Sequence, residues 1–195
     1  HLPDKGISEI FVHAQDFAGL FAVVARELDR MRLNVLAARV VTSNDHKSWD
    51  VFQIMSASGG PLLDADAERL ARVLIRQLAE KTVRPLPPRP VPRRLKPFMA
   101  RAEIRISPLR DLTSVEMAAT DRPGLLSAIA EALLTCGVQL LDARVATFGQ
   151  RVEDVFLVSD AQGRALDDEA CAALEQALRR QLDADPSFQR QRETA

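Results

Sequence analysis

Tyrosine is absent from this chain, and tryptophan occurs once, histidine three times and cysteine twice in 195 residues. Such scarcity argues against a metal centre. Cys136 and Cys171 stand too far apart to be a close ligand pair, and neither His13 nor His46 has a thiol or second histidine at ligand spacing. Both cysteines fall among apolar residues on expected helices, as reduced, buried thiols of a cytoplasmic protein would. An excess of one charge is missing too. Lys plus Arg number 26 against 27 Asp plus Glu, a net charge of −1, which leaves neither a nucleic-acid groove nor a polybasic membrane face. No apolar run approaches the roughly 20 residues of a membrane span, and no signal peptide is visible. Catalytic signatures are also lacking: there is no Walker loop, no HExxH, no GxSxG and no close carboxylate pair in a glycine-rich setting. We therefore expect no catalytic residue, no metal ligand and no cofactor in this chain. It opens HLPDKG rather than with Met, and reads as a piece of something longer with His1 as a cloning remnant.

What is present is a repeat. Residues 16–40 read DFAGLFAVVARELDRMRLNVLAARV, and residues 121–145 read DRPGLLSAIAEALLTCGVQLLDARV. Asp16 meets Asp121, Gly19 meets Gly124, Leu28 meets Leu133 and Arg39 meets Arg144, at an offset of 105. WDVF (49–52) then meets EDVF (153–156) at 104. A correlation of this length marks two copies of one unit. About 75 residues per copy bury little surface alone, so the copies should lean on a partner.

Each copy carries the same order of patterns. Ile10, Val12 and Ala14 alternate with Glu9, Phe11 and His13, and Val115 and Met117 alternate with Ser114, Glu116 and Ala118, the period of half-buried strands over 7–14 and 114–119. Helical spacing follows in Leu20, Phe21, Val24, Leu28 and Met31, matched by Leu125, Leu126, Ile129, Leu133 and Leu134, with Gly137 as a C-cap. Two strands come next, at 34–42 and 50–56 and at 138–148 and 152–159, joined by SND and GQ turns. A second helix closes each unit, capped by Asp64 or Asp66 in one and by Asp167 or Asp168 in the other.

The unit is β-α-β-β-α, with a fourth strand short or borrowed. For the first copy, 82–86 or 100–106 could supply it; for the second, 186–191. Two right-handed crossovers of this kind give a ferredoxin-like plait, so the expected class is α+β: two βαββαβ plaits in tandem, each an antiparallel sheet with its helices on one face. The other face is bare, with Phe11 and His13 on it, and invites pairing within or between chains. Between the copies, RPLPPRPVPRRLKPF (84–98) reads as a stiff, extended, basic spacer that packs into neither plait.

The joint between first strand and helix is where chemistry could lie. ATDRPGLL places Asp121 at the mouth of a helix, Pro123 in its first turn and Gly124 just after, where the missing Cβ lets a ligand approach the backbone. The free amides and the helix dipole there suit an anion such as an α-carboxylate, and Asp121 could accept from an ammonium. The same signature also describes a plain helix cap in a tight turn. The residues alone leave both readings open.

DRPGLL, followed after one helix by LLDARVATFGQRVEDVFLVSD (140–160), resembles the ACT family, small regulatory plaits that bind amino acids. Two such units joined by a segment like PRRLKPF (92–98) resemble the C-terminal end of the bacterial bifunctional uridylyltransferase/uridylyl-removing family, over about residues 7–190. The resemblance implies a first ACT domain at 7–84, a proline-rich linker at 85–99, a connecting strand at 100–112 and a second ACT domain at 113–191. It implies that the chain senses glutamine and controls absent catalytic domains (nucleotidyltransferase and metal-dependent phosphohydrolase, with Mg in the parent) that modify the PII nitrogen-regulatory protein in the cytoplasm. The ligand-binding candidates are Asp121, Arg122, Gly124 and Leu125, their counterparts Asp16, Gly19 and Leu20, and Asn34 and Gln139 at the start of the following strands. DFAGLF lacks the Arg-Pro of DRPGLL, which leaves the first copy the weaker binder. Two alternatives are a free-standing two-ACT regulator of the glycine-cleavage-repressor type and a dimerisation module that binds nothing. The missing start Met and the proline-arginine linker argue against the former.

Overall fold

The alternating and helical patterns become, in a computed structural model that describes residues 6–84, 86–87 and 89–182, seven strands and four helices. In the first copy β1 (Ser8–Gln15), α1 (Leu20–Arg30), β2 (Asn34–Val41), β3 (Lys47–Met55) and α2 (Asp64–Glu80) follow in the expected order. After the linker come β4 (Glu103–Leu109), β5 (Leu112–Thr120), α3 (Leu125–Thr135), β6 (Gln139–Phe148), β7 (Arg151–Ser159) and α4 (Asp168–Leu182). Every strand boundary of the repeat is met within a few residues, because period-two alternation places Val12, Phe52, Val115 and Phe156 inward and leaves Phe11, His13 and Glu116 outward.

All seven strands lie in one antiparallel sheet, in the order β1-β3-β2-β6-β7-β5-β4. The two plaits are thus fused edge to edge through β2 and β6, where Ala37 pairs with Ala146, Arg39 with Arg144 and Val41 with Asp142. The register is telling. Arg39 and Arg144 are counterparts in the repeat and face each other, so a pseudo-two-fold axis passes between them. The backbone irregularity repeats as well, falling between Val35 and Ala37 on β2 and between Leu140 and Asp142 on β6. Edge pairing solves the problem of an unpaired strand in a small plait, and Arg39 Nη2 donates to Asp142 Oδ2 at 2.9 Å across the seam.

The helices form a layer on one face, with α1 packed against α2 and α3, and α3 against α4. Sandwiched in this way, α1 is buried on every side from Leu20 to Asp29. Its charged residues are accordingly paired: Arg26 with Glu131 of α3, Glu27 with Arg30, Asp29 with Arg89. The core runs continuously beneath both copies, from Leu28 and Ile54 to Ile129 and Leu178. Among the described residues no element covers the opposite sheet face. Phe11 is 61% exposed and Trp49 44%, and His13 stacks on Trp49 at 3.8 Å between ring centroids.

Several expectations need correction. Residues 100–106 contribute β4, but it pairs with β5 of the second copy and not with the first; the first plait has three strands among the described residues, because 82–84 is irregular. The strand suggested for 186–191 lies outside the described residues. Neither Asp64 nor Asp66 caps α2, whose N-cap is Leu63; both sit in the first turn, where the dipole favours them. Asp167 does cap α4, accepting from the Ala170 amide at 2.8 Å. Both cysteines are free and half-buried, and Cys136 is the cap residue beyond α3.

The linker is no detached spacer. Arg26 Nη1 donates to the Arg84 carbonyl, Arg89 Nη1 to Asp29 Oδ1 at 2.6 Å, and Thr120 Oγ1 accepts from the Ala100 amide. Nor is the segment extended throughout, since residues 93–95 turn into a short 3-10 helix at Lys96–Phe98. Arg89 finds in Asp29 a buried acceptor that ties the segment to the first copy, as the Ala100–Thr120 bond ties its end to the second.

Candidate functional site

Gly19 and Gly124 occupy the two joints with φ of 102° and 78°, a left-handed backbone that side chains disfavour. Each is the N-cap of its helix, α1 or α3, so Pro123 lies just outside α3 and not in its first turn as expected. The amides of Leu20 and Leu125 are taken by the carbonyls of Phe17 and Arg122, three residues back. The joints are held alike: the Asp16 amide donates to the His46 carbonyl and the Asp121 amide to the Gln150 carbonyl, each at 2.8 Å.

The pseudo-two-fold axis turns each joint toward the other copy. A cavity of about 660 Å³ brings together Asp121, Arg122, Gly124 and Leu125 of the second copy with Asp29 and Asn34 of the first. A second cavity of about 410 Å³ brings Asp16, Gly19 and Leu20 together with Leu134 and Gln139. All nine sequence-derived candidates therefore gather at two places, and Asn34 and Gln139 each belong to the joint of the opposite copy. Both sites lie between the repeats.

The two are unequal. A Cβ added at Gly124 would stand 3.0 Å from Asp29 Oδ2, whereas one at Gly19 would stand 2.8 Å from Val83 Cγ2 and 3.3 Å from Leu134 Cδ1. Asp29 and Leu134 are repeat counterparts, so one exchange of carboxylate for isobutyl gives Gly124 a polar neighbour and Gly19 an apolar one. Arg89 reinforces the contrast, since it bonds Asp29 beside Gly124. Arg32, Arg89, Arg94 and Arg122 line the larger cavity together with the carboxylates of Asp29 and Asp121. A lining that carries charges of both signs can meet both ends of a zwitterion.

Burial raises the carboxyl of Asp121 above the ordinary value, although the Arg122 amide partly offsets it. Asp16 is raised likewise by burial, against the Phe17 amide and the nearby His46. Two further carboxylates went unnoticed in the sequence. Asp50 and Asp154 are 0% and 2% exposed, and burial, reinforced by Asp16 and Asp121 respectively, pushes each up to about 7. The signal was present in WDVF and EDVF. Alternation puts those aspartates on the face of Phe52 and Phe156, where an apolar residue is the ordinary choice. Asp29, Arg89 and Arg94 were missed for another reason: their meeting with the joint crosses between copies.

A model of the ACT domain matches residues 115–189. The chain is 36% identical over 193 residues to the bifunctional uridylyltransferase/uridylyl-removing enzyme of Ectopseudomonas mendocina, covering 96% of this chain and 21% of that protein. The enzyme of the same name from Azotobacter vinelandii is 36% identical over 184 residues, covering 91% of this chain and 20% of that protein. The chain spans about a fifth of the length of the curated relatives it matches. The regulatory subunit of aspartate kinase from Thermus thermophilus, in a ligand-free crystal structure, aligns over 88% of this chain and 95% of its own at 16% identity, with a TM-score of 0.27. That score is too low to carry an argument. No helix among the described residues is long and apolar enough to cross a membrane.

Proposed function

Since this chain belongs with the ACT-bearing region of the bifunctional uridylyltransferase/uridylyl-removing enzymes, we propose that it is their glutamine-sensing regulatory region. It governs catalytic domains elsewhere in the parent, which attach UMP to the PII nitrogen-regulatory protein and remove it in the cytoplasm. The observation that carries the reading is the cavity shared between copies, with carboxylates from Asp121 and Asp29 and guanidinium groups from Arg122 and Arg89 around one helix N-terminus. Glutamine lies there with its carboxylate at the mouth of α3 beside Gly124 and Leu125, its ammonium near Asp121 and its side-chain amide toward Asn34. Bound between copies, it draws the α1 end of the first plait onto the joint of the second. That coupling is how a small ligand alters a larger assembly, provided the ligand binds one arrangement of the copies better than another.

Melting the chain with each of the twenty amino acids tests this, because a ligand bound by the folded state alone raises its stability. A shift with glutamine alone supports the proposal. A shift with glycine alone points to the free-standing repressor type. No shift with any of them leaves the edge-paired plaits as a structural module, a reading that the continuous β2–β6 seam favours.

A further inference from the structure

We propose that Asp154 is a further ligand-recognition residue of the larger cavity, its carboxylate receiving the primary ammonium of a free amino acid together with Asp121. The inference rests on the amino-acid binding proposed above. Asp154 stands on β7 among the inward residues Val152, Phe156 and Val158, yet it also lines the cavity that holds Asp121 and Gly124. Its Oδ1 has no hydrogen-bond partner among the described residues, although the side chain is 98% shielded from solvent. An acceptor left unmade in such a place costs free energy that a valine would not. A buried lone pair at the wall of a cavity is an acceptor waiting for a donor.

The repeat supplies a comparison within the same molecule. Asp50, the counterpart in the first copy, also has one oxygen, Oδ2, without a partner among the described residues, but its Oδ1 receives the Ser48 hydroxyl at 2.5 Å. At the place matching Ser48 the second copy has Val152, which donates nothing. Ser48, and not Asp50, lines the smaller cavity. The second copy has thus lost the internal donor in the copy whose joint is polar. A metal ion suits the place poorly: no group of three His, Cys, Asp or Glu among the described residues is arranged to hold one. An ammonium needs only two or three acceptors, and the mouth of α3 with the guanidinium groups of the same lining receives the other end of a zwitterion.

Charged groups face Asp154 from several elements: Asp121 and Arg122 from the joint, Asp29 and Arg32 from α1 and its end, Arg89 and Arg94 from the linker. Arg179 of α4, bonded to Glu175, and the exposed Glu116 and Glu153 share the other hollow that Asp154 touches. Near neutral pH the empty site holds its carboxyl protonated part of the time, because burial and the charge of Asp121 oppose ionisation. The arriving ammonium reverses that balance. The carboxyl O–H bond breaks, its proton passes to solvent, and the carboxylate pairs with the ammonium; no other bond changes.

Calorimetric titration of the 195-residue chain with L-glutamine at pH 7, in two buffers of different ionisation enthalpy, measures affinity and proton release together. The second probe is 4-carbamoylbutanoate, which is glutamine without its ammonium. Asp154→Asn keeps the shape of the side chain and should weaken glutamine at least tenfold, abolish proton release and leave the weak binding of 4-carbamoylbutanoate within twofold. Asp50→Asn, equally buried in the other copy, should bind glutamine within twofold of the parent. The proposal falls if Asp154→Asn binds glutamine like the parent, if it weakens both probes alike, or if Asp50→Asn weakens glutamine just as much. Should the parent chain bind no free amino acid at all, the sensing function itself is wrong and this inference goes with it.

Discussion

Replacing Asp50 or Asp154 by asparagine should make the protein more stable, and only above a certain pH. Each carboxyl is raised from the ordinary 3.8 to about 7, so the folded chain holds two protons that the unfolded chain has released between those values. Stability then declines as pH rises through that window, because folding must take up protons that grow scarce. Below about pH 4 both states are protonated and the penalty is absent; above about pH 7 it is complete. At 1.36 kcal/mol per pH unit, the difference of 7 − 3.8 comes to about 4 kcal/mol for each buried group. Asparagine has no proton to lose. Urea unfolding at pH 4, 6 and 8 should therefore show the gap between Asp154→Asn and the parent widening by up to about 4 kcal/mol toward alkaline pH, with Asp50→Asn behaving alike. A gap that stays constant across the three values would refute the reasoning, since it would mean that both carboxylates ionise as freely in the fold as in water.

Other outcomes follow from packing and from the joints. Leu133 is 4% exposed and Leu28 1%, so Leu133→Ala and Leu28→Ala should each cost about 2–5 kcal/mol in urea unfolding; a loss below about half a kilocalorie would contradict the buried phase of α1 and α3. Cleavage by a protease within 85–97 should leave the two halves together in gel filtration and light scattering, held by the β2–β6 seam and the α1–α3 contact; halves that separate freely would count against the fused sheet. Asp121→Ala should weaken glutamine by about 1.5–3 kcal/mol, the worth of one charge-assisted hydrogen bond, and Gly124→Val should do worse, because its Cβ would meet Asp29 in a disfavoured backbone. Glutamine binding unchanged in both would reduce the joint to a helix cap.

Much of the fold was legible because its signals are local. Alternation at Ile10, Val12 and Ala14 and helical spacing at Leu125, Ile129 and Leu133 depend on neighbours a few residues away, and each appeared where expected. The joint candidates were legible too, since Asp121 and Gly124 adjoin in sequence. What stayed hidden depends on distant pairing. That β4 serves the second plait follows from its register with β5, and no pattern within 100–106 distinguishes one host sheet from the other. The linker misled for a similar reason. Proline forbids helix and suggests a spacer, while its contact with the plaits comes from Arg89 meeting Asp29, 60 residues earlier.

The inequality of the two joints matches the loss of Arg-Pro from DFAGLF in the first copy, and it leads to a count. Symmetry of the backbone would give two equal sites, since Arg39 and Arg144 lie on the axis and each joint faces the other copy's helix end. Side chains break that symmetry. Beside Gly124 stand Asp29 and Arg89, which can exchange partners with a zwitterion; beside Gly19 stand Val83 and Leu134, which cannot. The missing Arg-Pro of DFAGLF lies at the apolar joint, so sequence drift and loss of polar lining coincide in one place. The smaller cavity keeps polar groups of its own in Asp16, His46, Lys81 and Gln139, but a charged group brought against the backbone at Gly19 would meet Val83 and Leu134 and shed water there without a partner. Titration should accordingly give one glutamine per chain, with Asp16→Ala changing stability but not affinity. Exchanging the lining by Leu134→Asp should not by itself create a second site, because Phe17 would still stand where the second copy has Arg122. Two equal sites in the parent chain would show that the backbone joint alone suffices to bind, and that the arginines and aspartates gathered around Gly124 only hold the linker in place.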